Sequence, residues 1–313
     1  MKIMTRDEVL EYENGLFKPT FQMFENIVND VNHAMSSLER NIEFSVANSY
    51  EFNAHARKEE DGNTYTIILR SGIIPMTFQV IGENIDFFTK HYPELEDKET
   101  SLALGSVFVW TQIFAHELGH IIRGHTDILK NKSTNLVEDS AQISMVEMPS
   151  ESELETDQVK MLMEFDADIF SSYFVAQVIL NTIKNAKKEI DVEDKTIVSL
   201  ALTAMFFLFN YLCELEGKST KYPPAMVRAN AIHMHLIKHL SGKTSLSDED
   251  LSKVMRKSIF DAYSFLVDEH SFQQGMGQSD LDHLYNVETD LLSKYPVFTD
   301  LISKCVLLDF LEN

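Results

Sequence analysis

The chain has 313 residues, 44% of them hydrophobic, which supplies a sizeable core and excludes a disordered chain. Its formal net charge of −22 excludes binding to nucleic-acid backbones or anionic membranes through the bulk electrostatic field, and no Lys/Arg run offers a local basic patch. The two cysteines, Cys213 and Cys305, have no CxxC partner, so they read as reduced, buried thiols of a cytoplasmic protein.

In chain order, the start MKIMTRDEVLEYENG lacks the apolar core of a signal peptide. Residues 19–39 carry Phe21, Phe24, Ile27, Val28 and Val31 at helical spacing. SYEFNAHAR (49–57) and TYTIILR (64–70) alternate as strands do and flank an Asp61-Gly62 turn signal, which predicts a β-hairpin. A helix is expected over 75–91, and a long apolar one over 99–123 with Gly124 as its stop. From 126 to about 154 the pattern fades. The stretch 137–157 holds many carboxylates and no Lys or Arg, and reads as a solvated loop or as a lid over a cleft. Helical patterns return at 155–187, 193–215, 223–240 and 246–268, with further helix in the tail, 279–311. IVSLALTAMFFLFNYLC (197–213) is uncharged but short for a membrane span and contains Ser, Thr and Asn. It is expected to be a buried core helix.

The expected architecture is a single domain over 1–313, α+β and mostly α-helical, with a small N-terminal β-hairpin or sheet. Its parts are an N-terminal helix and hairpin region (1–98), a motif-bearing helical region (99–187) with an acidic loop (126–154), and a C-terminal helical region (188–313).

HELGHIIRGH (116–125) places three histidines and a glutamate in an otherwise apolar helix. Residues four apart share a helix face, so His116 and His120 can direct their imidazoles at one metal ion. Glu117 lies about 100° further round, beside the metal rather than on it. There its carboxylate can take a proton from water and later return it to a leaving amine. Zinc suits such ligands and needs a third one from the protein. His125 falls five residues after His120, one short of the spacing in HExxHxxGxxH, and is rejected as the third ligand under that pattern. It either approaches the cleft or follows the helix stop as a surface residue. The remaining candidate is Glu164, in QVKMLMEFDADIFSSYF. Glu164 and Asp168 are four apart on one face, so the first can ligate while the second accepts the outer N–H of a ligand histidine. Asp166 points elsewhere and is expected to be solvated.

HExxH followed by ExxxD on a later helix is the gluzincin pattern. The chain more closely resembles the Lit-like phage-exclusion metallopeptidases. That resemblance is carried by FNAHARKEEDGNTYTIILR (52–70), HELGHIIRGH, EFDAD (164–168) and YPPAMVRANAI (222–232). It implies a zincin-like domain in which His116, His120 and Glu164 are zinc ligands, Glu117 is the catalytic base and Asp168 is the carboxylate behind the metal. It also implies peptide-bond hydrolysis in an intracellular protein substrate and a role in phage exclusion. Gluzincins often align an extended substrate along the hairpin edge, for which TYTIILR is the candidate. Where the family shows a His-Pro-Pro-like start, this chain has Tyr222.

Tyr222-Pro223-Pro224 reads as a helix start with Arg228 in the first turns. Arg228 either pairs with a carboxylate or steadies an oxyanion or the substrate, and Tyr222 is a candidate donor to a tetrahedral intermediate. HMHLIKH (233–239) repeats i,i+4 histidines, His235 and His239, without an acid between them, and reads as surface histidines. Two alternatives stand beside a zinc peptidase of the cytoplasm. One is a regulatory or sensor module whose zinc is structural. The other is a membrane-embedded protease built on 197–213.

Overall fold

Alternating side chains and well-placed stops build the elements in turn. The computed structural model describes residues 2–95, 98–128, 154–189, 192–216, 223–269 and 278–307. Strand β1 (Lys2–Ile3) leads into α1 (Arg6–Glu11), which Thr5 and Glu8 close with a reciprocal capping box. Helix α2 (Lys18–Ala34) has proline in its first turn and buries Phe21, Phe24, Val28 and Val31 along one stripe. Strands β2 (Asn41–Asn48), β3 (Ala54–Lys58) and β4 (Thr64–Arg70) follow. The helices α3 (Ile73–Glu83), α4 (Ile85–His91), α5 (Lys98–Ile122), α6 (His125–Ile128) and α7 (Thr156–Glu189) come next. The described chain continues with α8 (Asp194–Glu216), α9 (Ala225–Leu240), α10 (Asp248–Glu269) and α11 (Gln278–Ile302). Among the described residues the protein is α+β, mostly helical, with one small sheet.

Three sequence readings change here. NIEFSVAN (41–48), for which no strand is expected from the sequence, is a full strand, and the expected strand 49–57 begins only at Ala54. The single helix expected over 75–91 is two, parted at Asn84, whose side-chain amide turns back to donate to the Val80 carbonyl at 2.7 Å. TYTIILR is not an edge. The strand order is β1-β2-β4-β3, so β4 is paired on both sides. It runs parallel to β2 from Asn41↔Thr64 to Ala47↔Arg70, and antiparallel to β3 from Ala54↔Leu69 to Lys58↔Tyr65. Among the described residues, β3 is the outermost strand on that side of the sheet. The turn itself is as read: Asp61 accepts from the backbone N–H of Asn63 and Thr64, and Gly62 takes positive φ.

The chain forms two compact units. The first comprises Met1–Met76, Ile113–Phe170 and Lys294–Asn313. It holds the sheet, α2, the second half of α5, α6 and the first half of α7. Its core is aromatic. Phe24 of α2 stacks on Phe114 of α5 with centroids 4.1 Å apart, and Phe44 of β2 meets Phe114 edge-on at 5.2 Å. Phe114 lies two residues before His116, so this cluster locks the orientation of the motif helix.

The second unit comprises Thr77–Gln112 and Ser171–Ser293. Its centre is α8, the one described helix long and apolar enough to cross a membrane, and 78% of that window is buried inside the protein. The Tyr92 hydroxyl joins Ser199 and Thr203 of this helix at 2.9 and 2.7 Å, and Phe87, Phe207 and Phe265 interlock around it. A helix with a fixed hydrogen-bond partner and aromatic neighbours at successive turns is a core helix.

Candidate metal centre

The site is assembled from α5, α6, α7 and the last residues of α11, all within the first unit. Close approach of α5 and α7 comes first. A Cβ at Gly119 would meet Phe170 Cδ1 at 3.0 Å and the Ala167 backbone at 3.3 Å, so the glycine inside HELGH lets the two helices cross almost in backbone contact. Side chains one turn before Gly119 and around Ala167 then face each other at ligand range.

They do so in a definite pattern. His116 Nε2 lies 3.1 Å from Glu164 Oε2 and 3.1 Å from His120 Nε2, and His120 Nε2 lies 3.5 Å from Glu164 Oε1. Behind them, His116 Nδ1 is 2.9 Å from Asp168 Oδ1. A carboxylate only accepts, so His116 Nδ1 donates to Asp168 and Nε2 turns inward. His120, Glu164 and Asp168 are thus where the spacing placed them. His116 and His120 are each 1% exposed, Glu164 is 9% exposed, and Glu117, on the same helix, is fully buried. Two imidazole nitrogens and a carboxylate converge out of water, and such a trio needs a positive charge, either a proton on an imidazole or a cation between its members. Burial opposes charge on His116, but the hydrogen bonds and negative charge of Asp168, then of Glu164, push it up to about 10. His116, His120 and Glu164 could hold a metal ion.

The outer arrangement overturns one reading and decides between the two alternatives of another. Asp166, expected to be solvated, is fully buried. It accepts a two-pronged contact from Arg123, with Nε 2.8 Å from Oδ2 and Nη2 3.2 Å from Oδ1, a third bond from the Tyr295 hydroxyl, and lies 3.0 Å from His125 Nε2. The reason is that α7 is covered on both sides: α5 takes the face of residues 164 and 168, and the end of α11 takes the face of 166. Burial works against the Asp166 carboxylate, yet His125 and Arg123 hold it at about 2. His125 is likewise no surface residue. It is fully buried, with Nδ1 2.9 Å from His120 Nδ1, so it stands behind His120 and outside the His116–His120–Glu164 group.

Position 124 explains why the chain turns here. Gly124 has φ of 78°, and a Cβ there would collide with the Cβ and backbone of Cys305. The backbone N–H of Leu307 donates to the Ile122 carbonyl at 2.8 Å, closing the end of α5 with the C-terminal segment. Immediately after, Asp127 of α6 is held by Lys58 and by the Tyr65 hydroxyl at 2.9 Å, with Arg40 at 3.7 Å. Burial, with the Asp127 charge added, pushes the Tyr65 phenol up and keeps it a donor.

The remaining candidates fall elsewhere. Arg228 belongs to the second unit, buried, with its guanidinium 4.8 Å above the Phe209 ring. Tyr222 and residues 129–153, which include most of the acidic stretch, lie outside the described residues. In the second histidine cluster His239 is buried against Tyr173, contrary to a surface reading, while His235 is half-buried. Arg123, Asp166 and Tyr295 were missed by sequence reasoning. Arg123 and Asp166 each carried a signal, a charge within an apolar helix that must find a partner. Tyr295, over a hundred residues from the motif, carried none.

The fold and site together define a protein with a buried His-His-Glu group on two crossing helices. No protein family, no curated protein and no solved structure matches the chain.

Proposed function

We propose that this protein is a zinc-dependent endopeptidase with a zincin-like active site. The observation that carries the reading is the convergence of His116 Nε2, His120 Nε2 and the Glu164 carboxylate in a buried pocket. Donor atoms around a tetrahedral zinc, each ~2.0–2.1 Å from the ion, are ~3.3 Å apart. Separations of 3.1, 3.1 and 3.5 Å suit that ion without rearrangement. Three protein donors, none of them sulfur, are also the set used where zinc keeps a position open for chemistry. Bound zinc supplies a Lewis acid that polarises a carbonyl and lowers the pKa of water.

The chain's own residues do the rest. His116 and His120 present their inner nitrogens, and Asp168 holds the His116 ring. Glu117, one residue along α5 and shielded from bulk water, takes a proton from the attacking water and delivers it to the leaving amine. The resemblance to Lit-like metallopeptidases supports an intracellular protein as substrate, a cytoplasmic setting and a role in phage exclusion.

The near-complete burial of the ligands supports a second reading, in which zinc is structural and the protein is a regulatory or sensor module. One experiment separates the two. Wild-type protein should carry one equivalent of zinc by elemental analysis, Glu164→Ala should lose it, and Glu117→Gln should keep it while losing hydrolysis of a general peptide substrate. Full biological activity in Glu117→Gln would establish the structural role, and metal-free wild-type protein would end both readings.

A further inference from the structure

We infer that His125 and Asp166 form a relay that selects the ligating nitrogen of His120, and that Tyr295, from the C-terminal end of the chain, holds the far end of that relay. The inference rests on the reading of His116, His120 and Glu164 as a metal site and adds to it the positioning of one ligand.

The proton positions follow from chemistry, one contact at a time. Asp166 is gripped by Arg123 and by the Tyr295 hydroxyl, so it is a carboxylate and only accepts. The nitrogen facing it, His125 Nε2 at 3.0 Å, must therefore carry a hydrogen. A neutral His125 then has its lone pair on Nδ1. The atom opposite that lone pair at 2.9 Å is His120 Nδ1, which must donate. With its hydrogen on Nδ1, His120 turns the lone pair of Nε2 toward His116 and Glu164, which is the form a metal binds.

The two ligand histidines are thus held differently. His116 donates directly to the carboxylate of Asp168. His120 reaches a carboxylate only through an intervening imidazole. The second route is longer and has more walls. Phe298 packs on the His125 ring with centroids 5.7 Å apart, and Tyr295 meets Phe165 edge-on at 5.6 Å. Both walls come from the last turns of α11, so the C-terminal segment bears on a ligand set contained in α5 and α7. Glue between helices alone would not need a tautomerically consistent path from carboxylate to ligand. The bonds present make one.

The test is zinc affinity by chelator competition, together with the visible absorption of the cobalt(II)-substituted protein, in folded full-length variants checked by circular dichroism. His125→Phe fills the space but can neither accept nor donate, and should weaken zinc binding ~10–100-fold and shift the cobalt bands. His125→Asn keeps an acceptor near the Nδ1 position and should restore most of the affinity. Tyr295→Phe removes one hydroxyl at the far end and should weaken binding a few-fold. It decides the matter if His125→Phe does not fold. If His125→Phe and Tyr295→Phe bind zinc as wild type does, with unchanged cobalt spectra, while Glu164→Ala loses the metal, the relay is wrong and the metal site stands. If wild-type protein takes up no stoichiometric zinc, the metal site is wrong and the relay falls with it.

Discussion

His116 and His120 differ by one turn of helix, yet what fixes each ring is different chemistry, and single substitutions can read that difference. Asp168 meets His116 at 2.9 Å and is fully buried. Asp168→Asn should therefore keep the fold and lower zinc affinity ~10–100-fold, measured by chelator competition. Gly124 is a residue-scale constraint of another kind. Its positive φ disfavours any side chain by ~1–2 kcal/mol, and Cys305 occupies the space a Cβ would take. Gly124→Ala should lower stability by at least that amount in urea unfolding. An unchanged midpoint would show that the turn after the motif is not strained. These residues also show what a linear reading can see. The spacing of 116, 120, 164 and 168 is periodic and local, so it was legible. Asp166 was misjudged because helical phase tells which way a residue points, and not whether another element waits there.

At the scale of elements, the crossing of α5 and α7 does the positioning. Two helices of ordinary surface residues keep their axes ~8–10 Å apart, and small residues at the crossing bring the donors within reach of one ion. Gly119 is that residue here. Gly119→Val should force the helices apart, destabilise the protein by ~1–3 kcal/mol and abolish metal uptake. Gly119→Ala asks Phe170 to give by only a few tenths of an ångström and should retain the metal. If the valine variant loads zinc normally, the crossing is not what sets the ligand spacing. The sheet is the counterpart on the other side of α5. Its aromatic contacts through Phe44 and Phe24 reach Phe114, and its Lys58 and Tyr65 hold Asp127 just past the motif. The hairpin was legible because a turn signal and alternation are local. The parallel pairing of β2 with β4, which puts β4 inside the sheet, joins residues more than twenty apart in the chain and leaves no local mark.

For the molecule as a whole, the proposed ligand set ties α5 to α7, so metal binding and stability should be linked. A ligand that binds only the folded chain at a thousandfold excess over its Kd adds about 4 kcal/mol. Wild-type protein should melt at clearly higher temperature with zinc than after chelation, and Glu164→Ala should show no such difference. A zinc-independent melting curve for wild type would argue against a preformed site. The second unit has its own core around α8, where Tyr92, Ser199 and Thr203 satisfy one another. The uncharged stretch that looked like a short membrane span is packed against protein because its polar residues have partners there, at the helix turns where Ser199 and Thr203 fall.

The order of residues by itself marked most of the long helices, the hairpin turn and the His-His-Glu spacing, because each depends on periodicity or on contacts within a few positions. Only the tertiary structure decided that Asp166 is buried, that His125 backs His120 instead of facing solvent, that β4 is internal, and that Tyr295 reaches Asp166. Each of those depends on which distant segment fills the space beside a given helix face, and burial of a charge is a property of that neighbour as much as of the residue itself.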